Sequence, residues 1–306
     1  MRYVFPMPHT HRIAAIFQPW EDKVTGPEQA LLARRAETLG YDMLRIPEHH
    51  VIPRENFELS GAHYFHATAA QGYYAGATER IRIGTGVTLL PLQHPILMAK
   101  GLATIDWLSG GRIEVTFGVG WLEREFEAMN VPFHERGKIA DEYIAAIIAL
   151  WTSDEATYEG KYVSFRDVVL EPKPVQKPHL PISMGGDSDA ALKRAARYAS
   201  GWTPFLTAPE DYPARIDFIK SQPTFSGGPF DVLHLMSGRA IGEGHVARSD
   251  EATRPTADRD KLVDRIGYLR QQGVTIFNFA IPEVASIDAY LDYAQWFIEE
   301  VKPRVG

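Results

Sequence analysis

His49 is the side chain of this sequence best suited to acid–base chemistry. It stands in the run Pro47-Glu48-His49-His50, directly after a predicted strand, Met43 to Ile46. Because an imidazole titrates near neutral pH, it can deliver or remove a proton during a reaction, and Glu48 could orient its ring. Neighbours in an extended chain point to opposite sides, so only one of His49 and His50 can face a site. The alternative is a partly exposed polar histidine with no chemical role.

Glycines stand at the ends of two consecutive predicted strands. Gly84-Thr85-Gly86 ends the strand-like stretch from Ile81 and is followed by Val87, and Gly118-Val119-Gly120 ends the stretch from Ile113. A residue without a Cβ atom lets the backbone approach a flat ligand closely. One such glycine is explained more simply by a turn, but the repetition on neighbouring strands favours a ligand shelf.

The best candidate for a phosphate contact is Met184-Gly185-Gly186-Asp187-Ser188, which precedes a predicted helix. Backbone N–H groups at a helix N-terminus bind an anion without a basic side chain. Gly185 and Gly186 would admit the phosphate, and Ser188 can cap the helix or donate to the anion. An ordinary N-cap explains the same residues. Asp187 is unfavourable beside a phosphate unless its carboxylate turns away or caps the helix.

The elements that position these residues alternate between strand and helix, which predicts parallel α/β architecture. Ile96, Ala99 and Ala103 fall on one helical face between two strands, and Gly110 suits the end of that helix. This spacing indicates a right-handed crossover between parallel strands. The sequence contains eight candidate strands. The first three begin at or near Arg2, Met43 and Ile81. The other five run from about Ile113 to Val119, Pro181 to Met184, Gly201 to Phe205, Val232 to Ile241 and Thr275 to Ala280.

Eight such units predict a (β/α)8 TIM barrel, formed by one domain over residues 1–306, with its site at the C-terminal ends of the strands. Arg12 to Phe17 is also strand-like and is a candidate added piece. Two stretches predict insertions at the C-terminal face that act as mobile lids, Thr207 to Phe230 and Gly242 to Asp258. Thr157 to Phe165 predicts a hairpin, and Glu171 to Pro181 an extended connector.

The composition excludes several classes of function. The 306 residues carry a formal net charge of −7 and no cysteine, which excludes thiolate nucleophiles, cysteine-ligated metals and disulfides. We expect no nucleic-acid partner, because no basic surface is indicated. We also expect no membrane segment and a cytoplasmic location, since the N-terminal residues lack an apolar signal and no apolar run reaches about 20 residues.

Several segments resemble the luciferase-like superfamily of flavin- and deazaflavin-dependent oxidoreductases, in the coenzyme F420-dependent branch. The matching segments are YDMLRIPEHHVIP at Tyr41 to Pro53, TERIRIGTGVTLLPLQHP at Thr78 to Pro95, LATIDWLSGGR at Leu102 to Arg112, GVGWLEREFEAMNVPFHERG at Gly118 to Gly137, and LEPKPVQKPHLPISMGG at Leu170 to Gly186. The resemblance runs in order to about Phe205 and resumes more weakly from Lys261 to Val305.

The resemblance implies roles for the candidate residues. His49 would face the reactive centre of the cofactor ring, and Gly86-Val87 would form a non-prolyl cis peptide bond behind it. Gly118-Val119-Gly120 would run beside the ribityl chain or the ring. The loop of Gly185, Gly186, Asp187 and Ser188 would hold the cofactor phosphate. The resemblance also implies a homodimer formed through the early helices and a separate reductase that supplies reduced cofactor.

The resulting hypothesis is hydride transfer between coenzyme F420 and an apolar or aromatic small molecule. The substrate class follows from the aromatic residues expected at the mouth, namely Phe17, Trp20, Phe57, Tyr64, Phe65 and Trp121. The first alternative is a monooxygenase that uses reduced FMN and dioxygen. His9-Thr10-His11, with His63 and His66, raises a metal-dependent barrel hydrolase as a remote alternative, although Met184 and Trp202 stand where further histidines would be needed. A non-catalytic flavin-binding barrel is the last alternative.

Overall fold

Strands alternate with helices along the chain, and the strands form a barrel. The computed structural model describes residues 1–235, 240–241, 247–248 and 255–305. The strands are β1 Arg2–Pro6, β2 Met43–Ile46, β3 Arg82–Thr85, β4 Thr88–Leu89, β5 Val115–Gly118, β6 Ala156–Glu159, β7 Ser164–Val168, β8 Ile182–Gly185, β9 Gly201–Thr203, β10 Asp231–Leu235, β11 Ala240–Ile241, β12 Ala247–Arg248 and β13 Ile276–Asn278.

The helices cover the outside of the barrel and connect consecutive strands. They are α1 Gly26–Leu39, α2 Phe57–Ser60, α3 Ala67–Ala77, α4 Pro95–Ser109, α5 Glu123–Ala128, α6 Arg136–Thr152, α7 Asp189–Tyr198, α8 Tyr212–Lys220, α9 Arg259–Gln271 and α10 Ile287–Trp296. Gly40 and Gly110 end α1 and α4 with φ of 89° and 69°, the left-handed conformation that the sequence predicted for Gly110.

Nine parallel strand segments form the barrel sheet in the order β3-β2-β1-β13-β10-β9-β8-β5-β4. β3 pairs with β2, whereas β4 pairs with β5, so these two short segments are one barrel strand interrupted at Gly86-Val87. The circle closes where Ile83 N–H donates to Arg112 O at 2.9 Å and Glu114 N–H donates to Ile83 O at 3.1 Å. The predicted (β/α)8 barrel is confirmed.

The two ends of the barrel differ in chemistry. The N-terminal end carries ion pairs from Arg2 to Glu114, at 2.7 Å, and to Asp231, at 2.6 Å. Above this network, four strands contribute a buried apolar layer of Val4, Met43, Leu233 and Ile276. A depression of about 450 Å³ beside the ion pairs lies at the end opposite to the strand exits and contains none of the predicted site residues. The chemistry must therefore be sought at the C-terminal end.

The expected added strand over Arg12 to Phe17 is wrong. In that segment Ile16 and Phe17 both donate their N–H groups to Ile13 O, at 3.0 and 2.9 Å, which forms a local turn. The expected hairpin is present as β6 and β7, which pair antiparallel.

The expectation of a mobile lid over Thr207 to Phe230 is also wrong, because this stretch is not a loop but contains α8. Tyr212, Ile216 and Ile219 of that helix are buried against the barrel. The second expected lid, Gly242 to Asp258, and the end of the expected seventh strand lie largely outside the described residues. Within the described part of the chain, no helix is both long enough and apolar enough to cross a membrane.

Candidate functional site

Three strand exits meet around the side chain of Val87. The Gly86-Val87 peptide bond is cis, as the resemblance implied. A Cβ atom built on Gly118 would lie 2.5 Å from Val87 Cγ2, and one built on Gly185 would lie 2.7 Å from Val87 Cγ1. Both distances are shorter than real Cβ contacts, so the isopropyl group occupies space that only glycine leaves open. The structure thus brings Gly86, Val87, Gly118 and Gly185 together at one place in the barrel mouth.

The exit of β5 is fixed by groups beyond its glycines. Gly120 has a φ of 78°, and a Cβ atom there would lie 2.7 Å from the Phe126 ring. Arg136 Nε donates to Gly120 O at 3.1 Å, and its guanidinium lies 3.8 Å from the centroid of the Phe133 ring. Val119, between the two glycines, is half-buried against the core. This exit therefore carries a cation that the sequence analysis did not select.

His49 is buried at the same end of the barrel and is held by Glu125. His49 Nδ1 lies 2.8 Å from Glu125 Oε2, and the other carboxylate oxygen accepts the N–H groups of His50, at 2.6 Å, and Val51, at 3.3 Å. Glu125 is fully buried in α5. Because a carboxylate only accepts hydrogen bonds, His49 Nδ1 is the donor, which fixes both the ring orientation and the tautomer.

The expectation that Glu48 orients His49 is wrong. Glu48 instead accepts the backbone N–H groups of Ala67 and Leu89, both at 3.0 Å, and the side-chain amide of Gln93 at 2.8 Å. These bonds fasten the exit of β2 to α3 and β4. The motif therefore contains one acid that supports the backbone, while the acid that serves the histidine comes from a distant helix.

Among the described residues, the rings of Tyr64 and Trp121 lie against His49. The Tyr64 ring lies 4.9 Å from the imidazole and the Trp121 ring 6.0 Å, both edge-on. Burial raises the pKa of Tyr64, and the nearby Glu125 carboxylate raises it further, so this hydroxyl stays protonated. Burial, assisted by His63 and His49, lowers the pKa of His11 to about 4, so its imidazole is neutral at pH 7.

The remaining aromatic residues expected at the mouth have other contacts. Trp20 donates to Gln18 Oε1 at 2.9 Å and lies 5.3 Å from the Tyr290 ring. Phe65 contacts the His63 ring at 5.2 Å. The other two lie beneath arginine side chains, Phe17 with Arg12 and Phe57 with Arg54. Of the six, Tyr64 and Trp121 are the ones that the described contacts place against His49.

Gly185 to Ser188 connects β8 to α7, as predicted. Ser188 is the N-cap, and its Oγ accepts the Ala191 N–H at 3.2 Å. Gly186 has a φ of 122°, which favours glycine, and its carbonyl accepts the Trp202 indole N–H at 2.7 Å. The first N–H groups of a helix have no acceptor within the helix, so this terminus can bind an anion.

Asp187 belongs to this loop, but its carboxylate serves the segment after β9. It accepts the backbone N–H groups of Phe205, Leu206 and Thr207 at 2.9 to 3.1 Å, and the Thr207 hydroxyl at 2.5 Å. These four bonds turn the Asp187 carboxylate toward the segment after β9 and away from the helix N-terminus, one of the two arrangements expected beside a phosphate. As a direct cofactor ligand, Asp187 has no support from this geometry.

The histidines of the alternative metal site do not form a ligand cluster. The His9 and His63 rings lie 4.3 Å apart, but His63 Nε2 interacts with the His9 carbonyl oxygen at 3.0 Å, and His11 Nδ1 lies 3.1 Å from Thr10 Oγ1. Within residues 1–235 and 255–305, no group of three or more His, Asp or Glu side chains is arranged to hold a metal ion. The metal-dependent hydrolase therefore has no structural support in this part of the chain.

Arg45 is a buried cation that the sequence analysis missed. Its side chain points into the barrel from β2, where Nε donates to Thr85 O at 2.9 Å and Nη2 to Thr203 Oγ1 at 3.4 Å. Nη1 is buried and has no hydrogen-bond partner among the described residues. Burial lowers the pKa of this guanidinium to about 9, so it remains charged at pH 7.

Comparison with known proteins decides the family. The family model described as luciferase-like monooxygenase matches residues 13–261. The chain belongs to the luciferase-like monooxygenase family. An uncharacterized protein of Mycobacterium tuberculosis is 37% identical over 200 residues, which cover 61% of this chain and 69% of that protein. The FMNH2-dependent dimethylsulfone monooxygenase of Pseudomonas putida is 36% identical over 154 residues, which cover 49% of this chain and 42% of that enzyme.

Solved structures share the luciferase-like fold over the whole chain. A monooxygenase from Streptomyces bottropensis superimposes with a TM-score of 0.81 at 21% identity, covering 100% of both chains. The coenzyme F420-dependent tetrahydromethanopterin reductase of Methanopyrus kandleri gives a TM-score of 0.75 at 20% identity, covering 100% of this chain and 99% of that chain. At these identities the likeness shows the fold. Together with the family match, it makes this luciferase-like protein an oxidoreductase.

Proposed function

We propose that this luciferase-like enzyme binds coenzyme F420 in its barrel mouth and exchanges hydride with a small organic substrate. The observation that carries the proposal is the convergence of three glycine exits on Val87, on the same barrel face as the His49–Glu125 pair. The first feature packs the Val87 side chain so that the Gly86-Val87 peptide is held at the barrel mouth, where a ring can lie against it, and the second offers a positioned proton carrier. A non-catalytic flavin-binding barrel gives no reason for the His49–Glu125 pair.

The described residues fit such a cofactor. A ring would lie against the Gly86-Val87 peptide, and a phosphate would lie at the N-terminus of α7, where the Asp187 carboxylate is turned toward the backbone of residues 205–207. The bound ring supplies the hydride. His49 exchanges the accompanying proton through Nε2, because Nδ1 is committed to Glu125. Tyr64 and Trp121 pack around the imidazole and limit the access of water.

A reduced-FMN-dependent monooxygenase is the second candidate, and one observation favours it. The dimethylsulfone monooxygenase that is 36% identical to part of this chain is FMNH2-dependent, whereas F420-dependent enzymes are represented by solved structures at 20% identity or less. In either case a separate reductase would supply the reduced cofactor. The same shelf and the same histidine would serve both cofactors, so binding must decide.

Titration of the purified protein with F420 and with FMN, in oxidised and reduced forms, tests the proposal. Quenching of tryptophan fluorescence reports binding, and Trp121, beside His49, should supply most of the change. We expect a Trp121→Phe variant to lose most of the quenching and a Trp107→Phe variant to retain it, because Trp107 is exposed on α4. Tighter binding of F420 supports hydride transfer, tighter binding of FMN supports the monooxygenase, and binding of neither contradicts both.

We also propose a homodimer formed through the early helices. α1, α3 and α4 pack side by side and expose large apolar residues, namely Leu31, Tyr73, Leu97, Trp107 and Leu108. Leu97 and Leu108 are 72% and 71% exposed, which is costly for apolar side chains in water. Light scattering should give twice the chain mass for the natural protein and the monomer mass for a Leu97→Asp/Leu108→Asp variant. A monomeric natural protein would contradict this proposal.

A further inference from the structure

Arg45 crosses the interior of the barrel beneath the proposed site. Its strand, β2, and the strand of Thr203, β9, lie four positions apart in either direction around the barrel, and therefore on opposite sides. A guanidinium that starts on β2 and reaches Thr203 Oγ1 must span the lumen. Thr203 is in register with Gly185, which contacts Val87. The Arg45 side chain thus lies across the barrel lumen, directly below the three glycine exits.

The guanidinium also touches the shelf itself. A Cβ atom built on Gly86 would lie 2.5 Å from Arg45 Cζ, so the arginine packs flat against the Gly86 backbone. Arg45 is 6% exposed. Among the described residues, Nη1 has no hydrogen-bond partner, and burial lowers the pKa of the guanidinium with no opposing effect from a carboxylate. A charge in this position is costly to bury, because nothing in the described barrel neutralises it.

Arg112 shows what a structural buried arginine looks like in the same protein. It is 9% exposed, yet its three nitrogens donate five hydrogen bonds, to Ser109 O, Thr78 Oγ1, Ile81 O, Ala75 O and Thr78 O, at 2.8 to 3.1 Å. Arg45 donates two, one of them at 3.4 Å. The fold therefore satisfies one buried guanidinium completely and leaves the other with donor capacity at the site.

We propose that Arg45, with Thr203, binds an electron-rich oxygen of a molecule held in the barrel mouth, and that this oxygen carries negative charge during the reaction. The inference rests on the proposed binding of a redox ring. The oxygen has two sources with the same chemistry: a carbonyl oxygen of the ring, which becomes more negative when the ring is reduced, or an oxyanion group of the substrate. A cation in a low-dielectric site stabilises such charge strongly.

The experiment compares Arg45→Met, which removes the charge at similar volume, with Arg45→Lys, which keeps it, and with the natural protein. Absorption spectra of the bound, reduced cofactor across pH report ionisation of the ring. If the ring supplies the oxygen, Arg45→Met lowers the acid dissociation constant of the reduced ring at least tenfold, and Arg45→Lys largely restores that constant. If the substrate supplies the oxygen, ring ionisation is unchanged, and Arg45→Met loses at least tenfold in affinity for methanesulfonate or sulfate.

Urea unfolding of the unliganded variants separates a binding role from a structural one. Because Arg45 is poorly satisfied, we expect the Arg45→Met midpoint to equal or exceed that of the natural protein, whereas the Arg112→Met midpoint falls. Unchanged ring ionisation and unchanged oxyanion affinity in Arg45→Met would overturn the inference, as would a lowered midpoint with no change in binding. If the natural protein binds neither cofactor, the proposed function fails, and the oxyanion and unfolding measurements still decide the role of Arg45.

Discussion

Glu125 holds His49 and the backbone that follows it at the same time. One carboxylate oxygen lies 2.8 Å from His49 Nδ1, and the other accepts the His50 N–H at 2.6 Å. The two residues are 76 positions apart in the sequence. The ring is therefore positioned by tertiary structure, through a carboxylate that comes from a distant part of the sequence.

Glu125→Gln should lower the rate of hydride exchange while leaving cofactor affinity largely unchanged. The amide still accepts the His50 N–H, but its NH2 group faces Nδ1 and forces the opposite tautomer. A comparable change in a catalytic triad costs a factor of about 10⁴, so we expect a loss of at least about 100-fold. Single-turnover kinetics measures the rate, and imidazole ¹⁵N NMR reports the tautomer directly.

Glu123→Gln is the matched control for that variant. Glu123 lies in the same helix but is exposed, with His134 at 3.6 Å as its partner. We expect this variant to react at the natural rate. Equal rates for the two variants would show that Glu125 does not position a reacting histidine.

Gly118→Ala should weaken cofactor binding, because the new methyl group would collide with Val87. The built Cβ atom lies 2.5 Å from Val87 Cγ2, so the Val87 side chain or the shelf must move. We expect a loss of at least about tenfold in affinity, which corresponds to about 1.4 kcal/mol. Fluorescence titration measures this loss.

A double variant, Val87→Ala/Gly118→Ala, tests whether the collision is the cause. Removal of the two methyl groups of Val87 makes room for the alanine at position 118, so binding should recover relative to Gly118→Ala alone. Additive losses in the double variant would show that Gly118 and Val87 act independently.

The fold was predictable because its signals are local. The strand over Met43 to Ile46 and the helix that ends at Gly110 depend on residues within a few positions of one another, and the structure has both at the predicted places. The strand over Arg12 to Phe17 failed for a related reason. An apolar run fits a strand or a turn equally well. Here the hydrogen bonds to Ile13 O make the segment a turn.

The site was predictable only in part, because the sequence around His49 and around Arg45 does not show which residues they contact. Nothing in the sequence links His49 to Glu125, and the adjacent Glu48 was the natural but wrong choice. Arg45 did leave a trace, since it is a charged residue within the otherwise apolar strand β2. A charge inside a buried strand is a reason to look for a ligand.

Asp187 gives a third prediction, since its carboxylate organises the loop after β9. Asp187→Ala removes four hydrogen bonds to Phe205, Leu206 and Thr207 and should destabilise the protein by about 1 to 3 kcal/mol. Asp187→Asn keeps an acceptor and should cost less. Urea unfolding measures both effects. Tighter cofactor binding by Asp187→Asn than by the natural protein would instead show that the carboxylate repels the phosphate.

Stability should fall as the pH drops from about 6.5 to about 4, because two partly buried histidines are held in the neutral form. Burial lowers the pKa of His234 to about 4, with a further contribution from Arg265, and burial lowers that of His11 to the same value. In this range the unfolded chain binds protons that the folded protein excludes, so stability is complete above pH 6.5 and is lost below it. A lowering of this size corresponds to at most about 3 kcal/mol for each residue.

A His234→Phe/Tyr212→Phe variant isolates one of these contributions. His234 Nδ1 and the Tyr212 hydroxyl lie 2.8 Å apart, so replacing both avoids a buried hydroxyl without a partner. The phenylalanine ring can keep the stacking on Phe277, which lies 6.3 Å from the imidazole at an angle of 4°. Urea unfolding at several pH values should show a shallower loss of stability between pH 6.5 and 4 in this variant. An identical pH profile would mean that His234 is not held in the neutral form by the fold.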